Sequence, residues 1–209
     1  MKTTTFTDRD EWMRARNGKI TGSKLKGIIV KRGTEKKIGF YELIAERLLK
    51  PMSDDGEELY ASAMIRGSKL EKDALDRFES EDKRTIDRSL VLWERDDCPD
   101  IAISPDGILP EAEAVEAKCL ASARHIEAYI TQTVPDEYYY QGLQYFIVNE
   151  KLETLHFVFY DPRLMSKDFF TLQIHRKDLI SDIETYLDYQ RRELIEVEQF
   201  VQQLTKTPN

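Results

Sequence analysis

The stretch from Ser104 to Lys118 constrains this chain more than any other part of its sequence. It runs Ser-Pro-Asp-Gly, continues through a polar turn that contains a second proline, and ends Ala-Val-Glu-Ala-Lys. This pattern predicts two short strands, residues 101–109 and 114–119, joined by a turn. Asp106 lies between a proline, which fixes one backbone dihedral, and a glycine, which permits an unusual one. The sequence therefore predicts an aspartate on a sharp bend facing a second strand.

The second strand carries the charges that indicate chemistry. Glu116 and Lys118 are two residues apart, so on a strand they point to one face while Ala117 points away. Asp106 and Glu116 would supply hard oxygen ligands of the kind that Mg²⁺ prefers. A bound metal lowers the pKa of its water, and a nearby lysine can orient that water or accept its proton. This constellation suits hydrolysis of a phosphodiester.

A salt-bridged hairpin on the protein surface is the alternative interpretation of the same residues. The residues around Glu116 and Lys118 favour the first interpretation, because charges framed by apolar side chains are costly unless paired or coordinated. That frame consists of Ala114, Val115, Ala117 and Cys119.

Length and composition restrict the class of protein. The 209 residues suit a single domain, residues 1–209, and a net charge of −8 suits a soluble, folded protein. The first residues contain no apolar signal core, so the protein is expected to stay in the cytoplasm. No apolar run is long enough to span a bilayer, so no membrane partner is expected. Two cysteines are too few for a disulfide framework, and three scattered histidines make a zinc site unexpected.

Positive charge is concentrated near the N-terminus. Residues 14–37 contain nine lysines and arginines against one glutamate, whereas the remainder is acidic. The segment is either a solvated lysine-rich surface or a track for DNA phosphates, with the acidic remainder limiting non-specific binding.

Two motifs carry a resemblance to a known family. Ser104-Pro-Asp-Gly followed by Val115-Glu-Ala-Lys-Cys resembles the catalytic core of the phage lambda exonuclease family, within the PD-(D/E)XK nucleases. The similarity runs from Trp12 to the last predicted helix. It implies an α/β fold with a restriction-endonuclease-like three-layer core, in which a mixed central sheet of about five strands is flanked by helices.

The resemblance also implies a function. It is that of a Mg²⁺-dependent exonuclease, with Mn²⁺ able to substitute, that degrades linear double-stranded DNA in the 5′-to-3′ direction. The 3′ single-stranded tails would serve phage-type recombination by single-strand annealing. It further implies a ring-shaped homotrimer that encloses DNA ends and an annealing protein as partner.

Further site residues follow from the resemblance. Residues 67–74 resemble the active-site helix of the family and assign a catalytic role to Glu71, although a solvated glutamate is the plainer interpretation. Gln141 resembles a glutamine that reaches the active site, but the family often has a second glutamine where this chain has Leu143. Residues 16–23 are similar to the segment that grips a 5′ phosphate, whereas simple helix capping by a hydroxyl is the alternative.

The complete set of candidate residues is as follows. The catalytic candidates are Asp106, Glu116, Lys118, Glu71 and Gln141, and the metal candidates are Asp106, Glu116 and the carbonyl of Ala117. The candidates for binding the 5′ phosphate are Arg16, Ser23 and Ser104. The other DNA-binding candidates are Lys19 and Thr21, together with Met64 and Ile65, which would form a wedge that separates the strands.

Hydrophobic periodicity predicts the remaining elements. We expect a first helix capped by Thr7 and a helix 57–79 that is interrupted at residues 66–71. The other predicted helices span 40–49, 121–133, 135–148 and 176–205, and the other predicted strands span 89–94, 154–160 and 169–174.

Two rival functions share this pattern. A restriction or repair endonuclease would use the same core but would also cut closed circles. A non-catalytic DNA-binding module would lack metal-dependent turnover, and the acidic C-terminal helix also admits a protein-interaction role.

Overall fold

The computed structural model describes residues 1–29, 37–48 and 58–206, with the backbone alone described for 58–69. Its strands are β1 (Lys2–Phe6), β2 (Leu90–Glu94), β3 (Ala102–Ile103), β4 (Gly107–Leu109), β5 (Glu113–Lys118), β6 (Thr154–Tyr160) and β7 (Phe169–His175). Its helices are α1 (Arg9–Arg16), α2 (Gly22–Ile29), α3 (Ile38–Leu48), α4 (Glu58–Asp82), α5 (Ser122–Thr131), α6 (Asp136–Val148) and α7 (Ile180–Thr205), the last preceded by a 3₁₀ turn, Arg176–Asp178.

The described strands form two sheets instead of the single sheet that the sequence predicts. Strands β1, β2 and β3 pair in that order, and β4, β5, β6 and β7 form a second sheet. In the second sheet β5 runs parallel to β6, while β4 and β7 run antiparallel to their neighbours, so the sheet is mixed. The mixed α/β fold expected from the sequence is thus confirmed.

The predicted strand 101–109 is broken in the middle. Its first part is β3 of one sheet, and its last part is β4 of the other. Pro105 lies in the break, where its missing N–H removes a ladder hydrogen bond. The break places Asp106 at the junction of the two sheets, directly before β4.

The two faces of the second sheet pack against different helices. Val115 and Val158 lie in a buried cluster with Ala74, Leu75 and Phe78 of α4. On the opposite face, Ala114, Leu155 and Phe157 pack into the main core with the apolar residues of α6. The sheet therefore lies between helical layers, as the three-layer prediction requires.

A backbone contact brings the start of α2 to β3. Ile20 pairs with Ile101 in an isolated parallel bridge just before α2 begins. The Gln144 side chain on α6 reinforces this contact, because its amide donates to the carbonyls of Ile20 and Ala102 at 3.0 and 3.3 Å. Residues 16–23 are consequently fixed beside the strand that leads to Asp106.

Three local predictions need correction. The side chain that caps α1 is Asp8, which accepts from the Glu11 N–H, and not Thr7. Helix α4 is continuous through Gly67, because one glycine costs a helix only about 1 kcal/mol. Strand β1 was not predicted, since a threonine-rich stretch gives little apolar alternation.

No helix in the part of the chain described here combines the length and the apolar character needed to cross a membrane.

Candidate active site

Glu116 and Lys118 meet on one face of β5, as their spacing predicts. The Lys118 ammonium donates to Glu116 Oε1 at 2.6 Å and to Gln141 Oε1 at 2.9 Å. Gln141 in turn donates from Nε2 to Glu116 Oε1 at 2.6 Å. The Glu116 carboxylate is buried, with only 2% of the residue exposed. The three side chains form a closed polar cluster between β5 and α6, in which Gln141 is the α6 residue that contacts both Glu116 and Lys118.

Asp106 faces the same strand from the junction of the two sheets. Its Oδ2 accepts a hydrogen bond from the Ala117 backbone N–H at 2.8 Å. Burial, together with the charges of Glu116 and Glu71, raises the pKa of the Asp106 carboxyl well above its ordinary value. The site therefore concentrates negative charge that an added cation would relieve.

Glu71 approaches this cluster from α4. It is half-buried, and burial together with the charge of Glu116 raises the pKa of its carboxyl, while Arg9 and Lys118 partly oppose the shift. Glu71 thus lies within electrostatic reach of the two β5 charges, although its helix packs on the other face of the sheet.

Lys118 remains a cation in this environment. Burial lowers the pKa of its ammonium, but Glu116 and Asp106 outweigh that effect, so the pKa lies above its ordinary value. The ammonium also lies 4.6 Å from the centre of the Tyr138 ring, a cation–π contact. A charged donor is thus held beside the carboxylates.

The oxygen donors here suit a hard divalent cation. Asp106, Glu116 and the Ala117 carbonyl come from one bend and one strand, and Mg²⁺ commonly binds through one or two carboxylates and waters. In the residues that the structure describes, no three His, Cys, Asp or Glu side chains are grouped as a metal cluster. The residues fit a site made of two carboxylates and a carbonyl.

Trp12 links two of the phosphate candidates. The Arg16 guanidinium stacks over its ring at 4.2 Å, and its indole N–H donates to Ser104 Oγ at 3.1 Å. Burial lowers the pKa of Arg16, while the nearby charges of Asp106 and Glu116 oppose the shift. Arg16 and Ser104 therefore both contact the Trp12 indole, at the edge of the carboxylate cluster.

The start of α2 also borders the site. Gly22 packs so closely that a Cβ there would lie 2.4 Å from Ile103 Cδ1 and 3.0 Å from Gln141 Cγ. Thr21, just before it, is buried and its hydroxyl makes no hydrogen bond within the described chain. Ser23 is exposed in the first turn of the helix. The helix N-terminus expected to receive an anion thus lies next to Gln141.

The other DNA-binding candidates have different surroundings. The Lys19 ammonium is largely buried and bonds to Glu94 at 2.9 Å and to the Pro99 carbonyl at 3.1 Å, so it serves an internal ion pair here. The side chains of Met64 and Ile65 lie outside the described residues. The same holds for three members of the basic segment, Lys31, Arg32 and Lys36.

Two residues of the site escaped sequence reasoning. Tyr145 donates from its hydroxyl to Glu116 Oε2, and Trp12 makes the contacts described above. Tyr145 lies four residues after Gln141, which places both on one face of a helix. That spacing could have indicated Tyr145, whereas no local signal indicates that Trp12 reaches Ser104.

Comparisons with known proteins identify the family of this chain. Residues 11–151 match the YqaJ-like viral recombinase domain. The chain belongs to the YqaJ-like viral recombinase family. A search of curated protein sequences finds no significant match.

Solved structures extend the similarity over most of the chain. An alkaline exonuclease from Laribacter hongkongensis, LHK-Exo, is 28% identical over 93% of this chain and 97% of its own, with a TM-score of 0.75. The same values hold for LHK-Exo in complex with dAMP. A phage-related exonuclease from Haemophilus somnus 129PT shares the fold at 14% identity and a TM-score of 0.56, over 90% of this chain and 96% of its own.

These findings confirm the predicted relationship to the lambda exonuclease type. Family membership and the alkaline exonuclease match support a nuclease that acts in recombination.

Proposed function

We propose that this YqaJ-family chain is a Mg²⁺-dependent exonuclease that degrades linear double-stranded DNA in the 5′-to-3′ direction. The observation that carries the proposal is the convergence of Asp106, Glu116, Lys118 and Gln141 beside the Arg16–Trp12–Ser104 cluster. A phosphate-binding group next to a hydrolytic group suits an enzyme that acts on a strand end. The tails it leaves would feed single-strand annealing.

Each residue has a role in this proposal. Asp106, Glu116 and the Ala117 carbonyl would hold the metal, which when bound supplies a Lewis acid and a water of lowered pKa. Lys118 is a donor in its present contacts, which favours orienting the attacking water over accepting its proton. Gln141 fixes the Lys118 ammonium. Glu71 adds negative charge on the α4 side.

The proposed phosphate contacts would set the direction of digestion. Arg16 and Ser104 would bind the terminal 5′ phosphate, with Ser23 and the N-terminus of α2 on the same side. Binding that phosphate would place the adjacent phosphodiester at the carboxylates. Lys19, Thr21, Met64 and Ile65 remain candidates for contacts with the rest of the duplex.

Digestion of end-labelled linear duplex with and without Mg²⁺, and with and without a 5′ phosphate, tests the proposal. We expect release of nucleotides from phosphorylated 5′ ends, only with Mg²⁺ or Mn²⁺, and no cutting of covalently closed plasmid. Cutting of the closed circle would indicate an endonuclease. DNA binding without metal-dependent turnover would indicate a non-catalytic module.

The Asp106→Asn variant tests the assignment of the site. It should lose digestion but keep most of its DNA affinity, because phosphate contacts dominate that affinity. Asp87→Asn is the matched control, since Asp87 is exposed and its carboxylate accepts a local hydrogen bond from the Ser89 N–H, while its bridge to Ile108 uses the backbone alone. Wild-type digestion by Asp106→Asn would overturn the assignment.

The assembly is part of the proposal. We infer that residues 1–209 act as one nuclease domain within a homotrimeric ring, in the cytoplasm, with a single-strand annealing protein as partner. Sedimentation equilibrium tests the ring. The monomer mass is 24.5 kDa, so a homotrimer should have three times that mass. Co-purification with an annealing protein supplied in trans tests the partner.

A further inference from the structure

We propose that Tyr145 is a positioning residue that holds the Glu116 carboxylate in its metal-binding orientation. The inference rests on the proposed function and adds a residue to its machinery. Tyr145 is fully buried, and its hydroxyl donates to Glu116 Oε2. Its ring meets Trp93 edge to face, with centroids 6.4 Å apart. The phenol is therefore fixed at both ends, by a carboxylate and by a packed ring.

Each oxygen of Glu116 receives one donor from the same face of α6. Gln141 and Tyr145 are four residues apart on α6, so their side chains lie side by side. Gln141 donates to Oε1 and Tyr145 donates to Oε2. Together they fix the carboxylate against rotation.

Tyr145 alone among the described donors to this carboxylate acts on Oε2. Gln141 and the Lys118 ammonium both donate to Oε1, each at 2.6 Å. Without the phenol, both remaining described donors would donate to Oε1. Glu116 is only 2% exposed, so its carboxylate would have to reorient for Oε2 to gain a hydrogen bond. Glu116 would then meet the metal in a different orientation.

The end of α6 is held rigidly enough for this role. Arg176 donates to the carbonyls of Phe146, at 2.8 Å, and Asn149, and Arg95 donates to the carbonyl of Ile147. Two arginines thus satisfy the carbonyls of Phe146 and Ile147 in the last turn, and Arg176 adds a second donor to the Asn149 carbonyl, which also accepts from the Leu152 N–H. Tyr145 lies in this anchored last turn, so its hydroxyl is held in contact with Glu116 of β5.

The test is Tyr145→Phe, which removes one oxygen and keeps the ring. We expect its dissociation constant for Mn²⁺, measured by calorimetry without DNA, to rise about tenfold, since groups that orient metal ligands typically contribute 10- to 100-fold. The Mg²⁺ concentration for half-maximal digestion should rise in parallel, while DNA affinity without metal should stay within about twofold of wild type. A merely structural role would not produce this separation.

Tyr139→Phe is the matched control. Tyr139 lies on the same helix and also donates its hydroxyl to a carboxylate, but that carboxylate belongs to Asp182 at the start of α7. The Mn²⁺ affinity of the Tyr139→Phe variant should equal that of wild type. Should Tyr145→Phe fail to fold, Tyr145→Met removes the same donor with a flexible side chain and makes the same prediction.

The outcomes separate this inference from the proposed function. Wild-type protein that neither binds Mn²⁺ nor digests DNA would overturn the proposed function. Wild-type protein that does both, alongside a Tyr145→Phe variant with unchanged Mn²⁺ affinity, would overturn the role of Tyr145 alone.

Discussion

Replacing Lys118 with methionine should separate catalysis from folding. The side chain is 14% exposed, and its ammonium bonds to Glu116 and Gln141. Methionine keeps most of the apolar stem and removes the charge and the donors. The change therefore acts on the polar cluster and leaves the surrounding packing in place.

The structure predicts a modest loss of stability. Removing one partner of a buried ion pair costs about 3–5 kcal/mol when the other charge is left uncompensated. Here Glu116 keeps two donors, from Gln141 and Tyr145. We therefore expect a loss nearer 1–3 kcal/mol, which lowers the melting temperature by roughly 2–12 °C.

The expected loss of rate is much larger. A positioned group that orients the attacking water or handles its proton contributes about 10²- to 10⁴-fold. Single-turnover digestion of 5′-phosphorylated duplex in Mg²⁺, at a temperature where circular dichroism shows folded protein, measures this loss. DNA affinity should change little because the basic contacts remain.

Lys72→Met is the control for loss of a lysine charge. Lys72 pairs with Asp76 on the exposed face of α4, where such pairs contribute little. The Lys72→Met variant should digest DNA at the wild-type rate. A Lys118→Met variant that digests within about threefold of wild type would refute the role of Lys118, because a group in contact with the attacking water contributes far more.

Three further predictions follow from the structure. Arg16→Ala should reduce the preference for 5′-phosphorylated over hydroxyl ends by about 10- to 100-fold, the size expected for charge-assisted hydrogen bonds, in competitive digestion of both substrates. Gly39→Ala should destabilise the fold by about 1–3 kcal/mol in denaturant melts, because its Cβ would lie 2.7 Å from the Gly27 backbone. Asp161→Asn should cost about 1–2 kcal/mol at pH 7, because the ion pair with Arg163 lowers the pKa of this buried carboxyl from 3.8 to about 2.

Controls sharpen these three predictions. Arg14→Ala, an exposed change on the same helix as Arg16, should leave the end preference unchanged. Gly27→Ala should be tolerated, because its Cβ would make ordinary contact at 3.8 Å from Gly39. Because the folded pKa of Asp161 is depressed, its stabilisation is complete above the unfolded value and is lost as the pH falls through about 2. A stability difference that is as large at pH 2 as at pH 7 would contradict the ion-pair explanation.

Much of the fold could be predicted from the sequence where the signal is local. Strand β6 has the predicted bounds, and α6 begins one residue after its predicted start at Pro135, because alternation and helix-start signals act over a few residues. Pro105 is itself a local signal for the break between β3 and β4, since proline cannot continue a sheet ladder. Strand β1 depends on pairing with β2, so its own sequence carries little information.

For the candidate site, the sequence by itself determined that Glu116 and Lys118 share a face, because a strand has a period of two residues. The bend predicted that Asp106 faces this strand, and the family resemblance predicted Gln141. The contacts that these residues make, and the addition of Tyr145, depend on the tertiary structure, since a bend, a strand and a helix distant in sequence must pack together first. Likewise, residue type alone could not separate Arg16, stacked beside the cluster, from Lys19, held in an internal ion pair. Periodicity fixes which way neighbouring side chains point, whereas long-range packing fixes which of them meet.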